Sequence, residues 1–244
     1  MNHKNELEKK VAVVTGASRG IGRSIAHALA RSGALLALAA RSTKELEHVR
    51  QEIEAAGGMA ACFPTDVGKE QEAVGLIEKV VTRFQRLDIL VNNAGMGVFQ
   101  PLVHTSTDTW DDIMRVNARG PFILCREAIP HLSQQRRSFI VNISSVVGVK
   151  GYPNQSAYAA SKHALMGMTK ALAREVHDSG IRVHAICPGG VDTEMVTSAR
   201  PDLDKSVLMR PDEVADVVLF LVTRDGNAVI DQINLRRESS TPLA

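Results

Sequence analysis

Val11-Ala12-Val13-Val14-Thr15-Gly16-Ala17-Ser18-Arg19-Gly20-Ile21-Gly22 is the stretch on which the fold turns. A short apolar run enters a cluster of three glycines and leaves into a segment, 21–31, with helical spacing of its apolar residues. Glycines at the exit of a first strand have mechanical work. They permit a tight turn, let the backbone approach a pyrophosphate, and allow a helix to pack closely on a strand. The helix that follows offers unpaired N–H groups and the positive end of its dipole to phosphate. A merely structural glycine turn is the bland alternative, and the surrounding pattern decides against it.

That pattern is an alternation. Short apolar runs at 11–15, 35–40, 59–63, 87–92, 138–143, 181–186 and 229–235 are rich in Val, Ile, Leu or Ala and mostly lack polar alternation. Strands buried on both faces of a parallel sheet read this way. Between them lie helical patterns at 21–31, 44–56, 70–84, 107–129, 157–177 and 211–222. Asp66 and Thr107 are candidate helix caps, Pro211-Asp212-Glu213 is a favourable first turn, and Gly33, Gly57 and Gly180 stand where helices end. Strand–helix alternation implies right-handed crossovers and a doubly wound parallel seven-stranded sheet with helices on both faces, of Rossmann type. The chain of 244 residues, 44% hydrophobic, is long enough for one such domain. We find no repeat, linker or composition break, so 1–244 is expected to be a single domain, with a polar extension at 1–9 and a polar tail at 236–244.

Composition narrows the function. A formal net charge of +2, with no Lys/Arg block interleaved with aromatics, makes no case for nucleic acid. The first ten residues are polar and mixed in charge, unlike a signal peptide, and the apolar run at 34–40 is too short to span a bilayer. A cytoplasmic protein with no membrane partner is expected. Cys62, Cys125 and Cys187 are far apart with no metal-ligand spacing, and read as buried reduced thiols; no metal site is expected.

The second strand ends Ala39-Ala40-Arg41-Ser42. A site selective for NAD places an acid about 20 residues past the glycines to accept from the ribose 2′-hydroxyl. No acid stands here. Arg41 can instead fork onto a 2′-phosphate, with Arg19 assisting from the glycine turn, which points to NADP(H).

Further along, Tyr158-Ala159-Ala160-Ser161-Lys162 sits early in a long helical pattern. The i, i+4 spacing puts phenol and ammonium on one face. An isolated Tyr has a pKa of about 10 and is a poor base at neutral pH, but a nearby cation favours its phenolate. The pair alone is common by chance. It gains weight from two strands that end in polar groups, Ile140-Val141-Asn142-Ile143-Ser144-Ser145 and Asn92-Asn93-Ala94-Gly95, where doubly wound sheets place their ligands, and from Asn117 in the helical stretch between them.

With these motifs in order, the chain resembles the short-chain dehydrogenase/reductase family, in its short single-domain form, over 10–222. The matching positions are Thr15 to Gly22, Asp66-Val67, Asn92 to Gly95, Asn117, Ser145, Tyr158, Lys162, and Pro188-Gly189 with Thr193 following. The resemblance implies a catalytic set of Asn117, Ser145, Tyr158 and Lys162. Tyr158 would be the general acid/base, Ser145 would hold the substrate oxygen, Lys162 would lower the tyrosine pKa and grip the nicotinamide ribose, and Asn117 would anchor a proton-relaying water. It implies cofactor contacts at Gly16, Ser18, Arg19, Gly20, Ile21, Gly22, Arg41, Asp66, Val67, Asn93, Ala94, Gly95, Tyr158, Lys162, Pro188, Gly189, Val191 and Thr193. Asp66 would meet the adenine, Asn93 the neighbouring ribose region, and Thr193 the carboxamide. Family spacing favours Ser145 over Ser144. His163 is expected to face away from the site, His177 and His184 have no partner that can be named, and Tyr152 is a candidate for the substrate cleft.

Within the family the chain most resembles 3-oxoacyl-(acyl carrier protein) reductases. Arg136, nine residues before Ser145, falls where such enzymes carry a base for the acidic carrier; a solvated Arg136-Arg137 loop is at least as good a reading, and Ser179 stands where a second base is expected. The alternative substrates are small ketones, sugars or other secondary alcohols. The stretch 194–210 is short and charged where the family inserts a helical lid, which implies a more open pocket. The final strand lacks the Val-Asp-Gly-Gly-like turn of relatives, which puts the family's tetramer in doubt while leaving a homodimer or homotetramer as the expected assembly. A non-catalytic NADP(H)-sensing or scaffold protein is the reading from another class, and the intact catalytic set argues against it. A sugar-nucleotide epimerase would need a longer chain.

Overall fold

The computed structural model describes residues 6–199 and 204–241. Strands β1 (Val11–Thr15), β2 (Leu35–Ala40), β3 (Met59–Pro64), β4 (Ile89–Asn92), β5 (Ser138–Ile143), β6 (Ile181–Pro188) and β7 (Gln232–Leu235) form one sheet. Its order is β3-β2-β1-β4-β5-β6-β7 and every neighbouring pair is parallel. The helices are α1 (Gly20–Arg31), α2 (Thr43–Ala55), α3 (Glu70–Phe84), α4 (Thr107–Met114), α5 (Gly120–Leu132), α6 (Ser156–Glu175), α7 (Glu194–Ala199) and α8 (Pro211–Thr223). The expected doubly wound sheet is present.

Because strand side chains alternate between faces, β1 feeds two cores. Ala12 and Val14 join α1, α2 and α8 through Ile25, Leu29, Leu46, Ile53, Val214 and Val218. Val11 and Val13 point the other way, to α3 and α5 through Leu76, Ile77, Leu124 and Leu132. A strand apolar at every position is the sequence signature of this sandwiching. The edge strands β3 and β7 are covered less.

Several local details differ from the sequence expectation. The helical pattern at 107–129 is not one helix: a π-helical turn, Arg115–Arg119, separates α4 from α5 and carries Asn117 inward, fully buried. Apolar periodicity is blind to one extra residue in a turn. Ser106, not Thr107, caps α4, its hydroxyl accepting from Thr109 N at 3.1 Å. Asp66 is not the N-cap of α3, which is Lys69; its carboxylate accepts from Gly68 N at 2.9 Å and shapes the turn ahead of the helix. Gly33, Gly57 and Gly180 do take positive φ where their helices end. The extension at 1–9 is not wholly polar in role: Leu7 is buried in the core and its N–H donates to Ser32 O at 2.9 Å. Residues 1–5 and 242–244 lie outside the described residues. The stretch 194–210, read as short and charged in place of a helical lid, opens with the six-residue helix α7; residues 200–203 within it lie outside the described residues. Cys125 and Cys187 are buried, but Cys62, on edge strand β3, is only half-buried; all three are free.

Candidate active site

The strand order reverses at β1, which has β2 on one side and β4 on the other. Ligands of such sheets bind in the crevice beyond the strand ends at this point. Here the glycine turn leaves β1 and Asn93-Ala94-Gly95 leaves β4. Gly16 and Gly20 have φ of +65° and +54°, and a Cβ on Gly22 would stand 2.2 Å from Gly16 O, so that side of the turn closes only without side chains. Arg19, the N-cap of α1, is extended and supplies no side-chain cap to the helix amides. Uncapped N–H groups behind a glycine turn suit a pyrophosphate.

The two loops are braced against each other. Thr15 Oγ1 accepts from Asn93 N and Ala94 N, each at 3.0 Å, and donates to Val91 O at 3.2 Å. Asn93 Nδ2 donates to Thr15 O at 2.9 Å and Gly16 O at 3.3 Å. Asn93 therefore holds the glycine turn in shape, a structural task beside the ribose contact that the resemblance implies.

Beyond β5 and at the start of α6 lie Ser145, Tyr158 and Lys162. Ser145 and Tyr158 are both buried; the Ser145 hydroxyl eases ionisation of the phenol against the larger effect of burial, which pushes Tyr158 up to about 12, and Ser145 Oγ itself donates to Pro188 O at 3.4 Å. Ser145 Oγ also accepts from Val147 N at 3.2 Å. Ser144 turns elsewhere: its hydroxyl donates to Lys162 O at 3.4 Å. Lys162 is buried, its Nζ donates to Ile143 O at 2.9 Å and lies 5.9 Å from the centre of the Tyr158 ring. Burial pushes this ammonium down to about 8. Burial is the largest cause of both shifts, and the hydrogen bond of the ammonium goes to a backbone carbonyl.

Asn117 is tied at both ends. Its Oδ1 accepts from Met96 N at 2.8 Å, while its Nδ2 donates to Met96 O at 2.8 Å and Ser161 Oγ at 3.0 Å. Gly95 passes between Asn117 and Lys162: a Cβ there would stand 3.3 Å from Asn117 Oδ1 and 3.7 Å from Lys162 Nζ. Asn117, Lys162 and the β4 exit thus converge. With both Nδ2 protons committed, a water at this residue could only donate, to a carbonyl oxygen of the side chain or of the backbone.

The remaining positions frame the crevice. Arg19 and Arg41 are exposed, Arg19 forming an ion pair with Glu194 at the start of α7. Ser18 and Ile21 are half-buried in the glycine turn and Val67 is buried beside Asp66. Asp66 lies 4.0 Å from Arg115. Pro188 ends β6, Gly189 N donates to Leu235 O at 2.8 Å, Val191 pairs with Met209, and a Cβ on Gly20 would touch the Thr193 methyl at 3.2 Å. Sequence reading passed over three residues of this region. Ser161, within the Tyr-x-x-Ser-Lys run, joins Asn117 to the catalytic helix by donating to Tyr158 O at 2.8 Å. Glu194 partners Arg19, and Phe99 packs on Tyr158. Only Ser161 had a sequence signal, its place one residue before Lys162.

His163 is exposed, with Nδ1 2.9 Å from Ala159 O, and Tyr152 is 46% exposed on the loop before α6. His184 is buried on β6, its Nδ1 2.7 Å from Ile230 O and its ring stacked on Phe139. Arg137 pairs with Asp225, and Arg136 is exposed. Among the described residues no cluster of His, Cys, Asp or Glu could hold a metal ion, and no helix is long and apolar enough to cross a membrane.

Comparison with known proteins agrees with this geometry. The family model for short chain dehydrogenases matches residues 10–204. The chain is 36% identical over 235 residues to the 3-oxoacyl-(acyl-carrier-protein) reductase FabG of Thermotoga maritima, spanning 93% of this chain and 96% of that protein. Among solved structures, a metagenomic short-chain oxidoreductase in complex with NADP superposes with TM-score 0.84 at 36% identity, over 95% of this chain and 99% of that one. An alcohol dehydrogenase from the archaeon Thermococcus sibiricus, complexed with 5-hydroxy-NADP, superposes with TM-score 0.89 at 31% identity, over 96% and 99%.

Proposed function

The chain belongs to the short chain dehydrogenase family, and from that premise we propose that it is an NADP(H)-dependent carbonyl reductase acting in the reductive direction. The observation that carries the reading is the burial together of Ser145, Tyr158 and Lys162, with Lys162 Nζ 5.9 Å from the Tyr158 ring centre and close to Gly95 at the exit of β4. NADP(H) in this crevice would supply the hydride. The residues do the rest. The glycine turn and the amides of α1 take the pyrophosphate, Arg41 and Arg19 the 2′-phosphate, and Asp66, Val67, Asn93 and the Pro188 to Thr193 segment border the cofactor. Ser145 donates its O–H to the substrate carbonyl oxygen and fixes it beside the phenol. Tyr158 then gives that oxygen its proton as the carbonyl becomes an alcohol. With the phenol pushed up to about 12, Tyr158 stays protonated at neutral pH and is suited to act as the acid. Lys162, near 8, largely keeps its positive charge at neutral pH and offers it to whatever proton path refills the phenol.

For the substrate we favour a 3-oxoacyl thioester, on the strength of the relative from Thermotoga maritima. Small ketones are the second reading, favoured by the likeness to the alcohol dehydrogenase from Thermococcus sibiricus. NADPH oxidation against a panel of ketones and 3-oxoacyl thioesters decides between them. Binding of NADPH with no turnover on any member would overturn the enzymatic reading in favour of a sensor or scaffold.

For the assembly we infer a homo-oligomer, and one surface supports it. Met114, Ala118, Phe122, Ala164 and Met168 line a groove across α4, α5 and α6, and Phe122 is 50% exposed. A second copy packed through the long helices on either side of β5 would cover it. Light scattering is expected to show a homo-oligomer that Phe122→Glu disperses. A monomeric wild type would refute this. A cytoplasmic location is part of the same reading, supported by three free cysteines.

A further inference from the structure

Phe99 lies between β4 and α4, on the stretch that also carries Asn93, Ala94 and Gly95. Its ring meets the ring of Tyr158 edge to face, with centroids 5.4 Å apart and planes at 68°. The chain can fold this way because residue 97 is glycine. A Cβ on Gly97 would stand 2.8 Å from Phe99 Cζ and 3.4 Å from Tyr158 Cδ2. Nor is the stretch free to drift: both backbone groups of Met96 are bonded to the buried Asn117. Tyr158 therefore has Phe99 against its ring and Lys162 Nζ 5.9 Å from the ring centre, with Ser145 near enough to bear on its ionisation.

Within the reading of Tyr158 as the acid, we propose that Phe99 is a positioning residue for proton transfer, whose edge contact sets the plane of the Tyr158 ring and keeps water off it. An edge-to-face pair has a preferred angle, whereas a contact between aliphatic groups does not. The phenol O–H is then held toward the oxygen that Ser145 binds, and solvent is kept from competing for it. The direction of the Tyr158 shift, upward by burial, fits a ring screened from water. The titratable neighbours that bear on the pair are Lys162 on α6 and the Cys187 thiol at the end of β6, which raises Lys162. Ser145 from β5 and Phe99 from the β4–α4 stretch carry no charge.

The test uses Phe99→Ala, Phe99→Leu and Phe99→Trp beside Tyr158→Phe, with thermal melting to establish that each is folded. Phe99→Ala is expected to lower kcat about tenfold while the Kd for NADPH stays within twofold. In alcohol oxidation, where the phenol must lose its proton, the alkaline rise of the pH profile should move to lower pH, because water at the ring eases ionisation. Phe99→Trp should restore both readouts, and Phe99→Leu should shift them in the same sense as Ala but less. Kcat and pH profiles indistinguishable from wild type in the folded Ala or Leu variant, with Tyr158→Phe inactive, would overturn the role of Phe99 and leave Tyr158 standing. Turnover in Tyr158→Phe would instead remove the reading on which this one rests.

Discussion

Asn117 grips the backbone of Met96 at both of its polar groups, Oδ1 accepting from the N–H and Nδ2 donating to the C=O, each at 2.8 Å. A side-chain amide here does what a neighbouring strand would do for an isolated peptide. It anchors the stretch leaving β4 to the π-turn between α4 and α5, and through Ser161 to the helix that carries Tyr158 and Lys162. Asn117→Leu would leave the Met96 pair and the Ser161 hydroxyl short of a partner inside the protein. A stability loss on the order of 2 kcal/mol is expected in urea unfolding, with kcat falling more than the affinity for NADPH. Full stability with full kcat would show that the lock does not matter.

The pH dependence of reduction follows from two buried groups with opposite shifts. Lys162, lowered to about 8, is charged below that pH and neutral above it, while Tyr158, raised to about 12, stays protonated throughout the working range. The rate of carbonyl reduction is therefore expected to hold below about pH 8 and to fall above it, the alkaline limb belonging to Lys162. Lys162→Arg keeps its charge across this range, so whatever its absolute rate, its profile should lose that limb. An unchanged limb in the Arg variant would assign it to another group.

In the proposed reading, cofactor choice rests on Arg19 and Arg41, both exposed. Arg41→Asp is expected to lower kcat/KM with NADPH by about tenfold or more, the scale of one charge-assisted contact, and to affect NADH far less. Steady-state kinetics with both cofactors measures it. A wild type that prefers NADH, with Arg41→Asp without effect, contradicts the selectivity.

How much of this was legible in the chain depends on whether the signal is local. The strands were, because a strand sandwiched between two helical layers is apolar at most positions, and β1, β2 and β5 match the expected spans. The glycine turn was legible for the same reason, since close backbone approach admits no other residue at Gly22. The π-turn was hidden: the amphipathic pattern at 107–129 continues through it, and only the inward swing of Asn117 reveals the extra residue. Leu7 was hidden by its polar neighbours, which say nothing of the core that it reaches. Phe99 and Glu194 act across distances in the chain, 59 residues to Tyr158 and 175 to Arg19, where no local rule applies. The balance of the Tyr158 and Lys162 shifts was equally out of reach, because the i, i+4 spacing gives proximity but not the burial of both groups.

The central claim is that Tyr158 delivers the proton. Tyr158→Phe removes one hydroxyl and keeps the ring that Phe99 contacts, so it tests the chemistry with little change in packing. Measured side by side, NADPH binding by fluorescence and NADPH oxidation with the best substrate of the panel should separate in this variant, binding kept and turnover lost. Turnover at the wild-type rate with NADPH bound would contradict the account at its root.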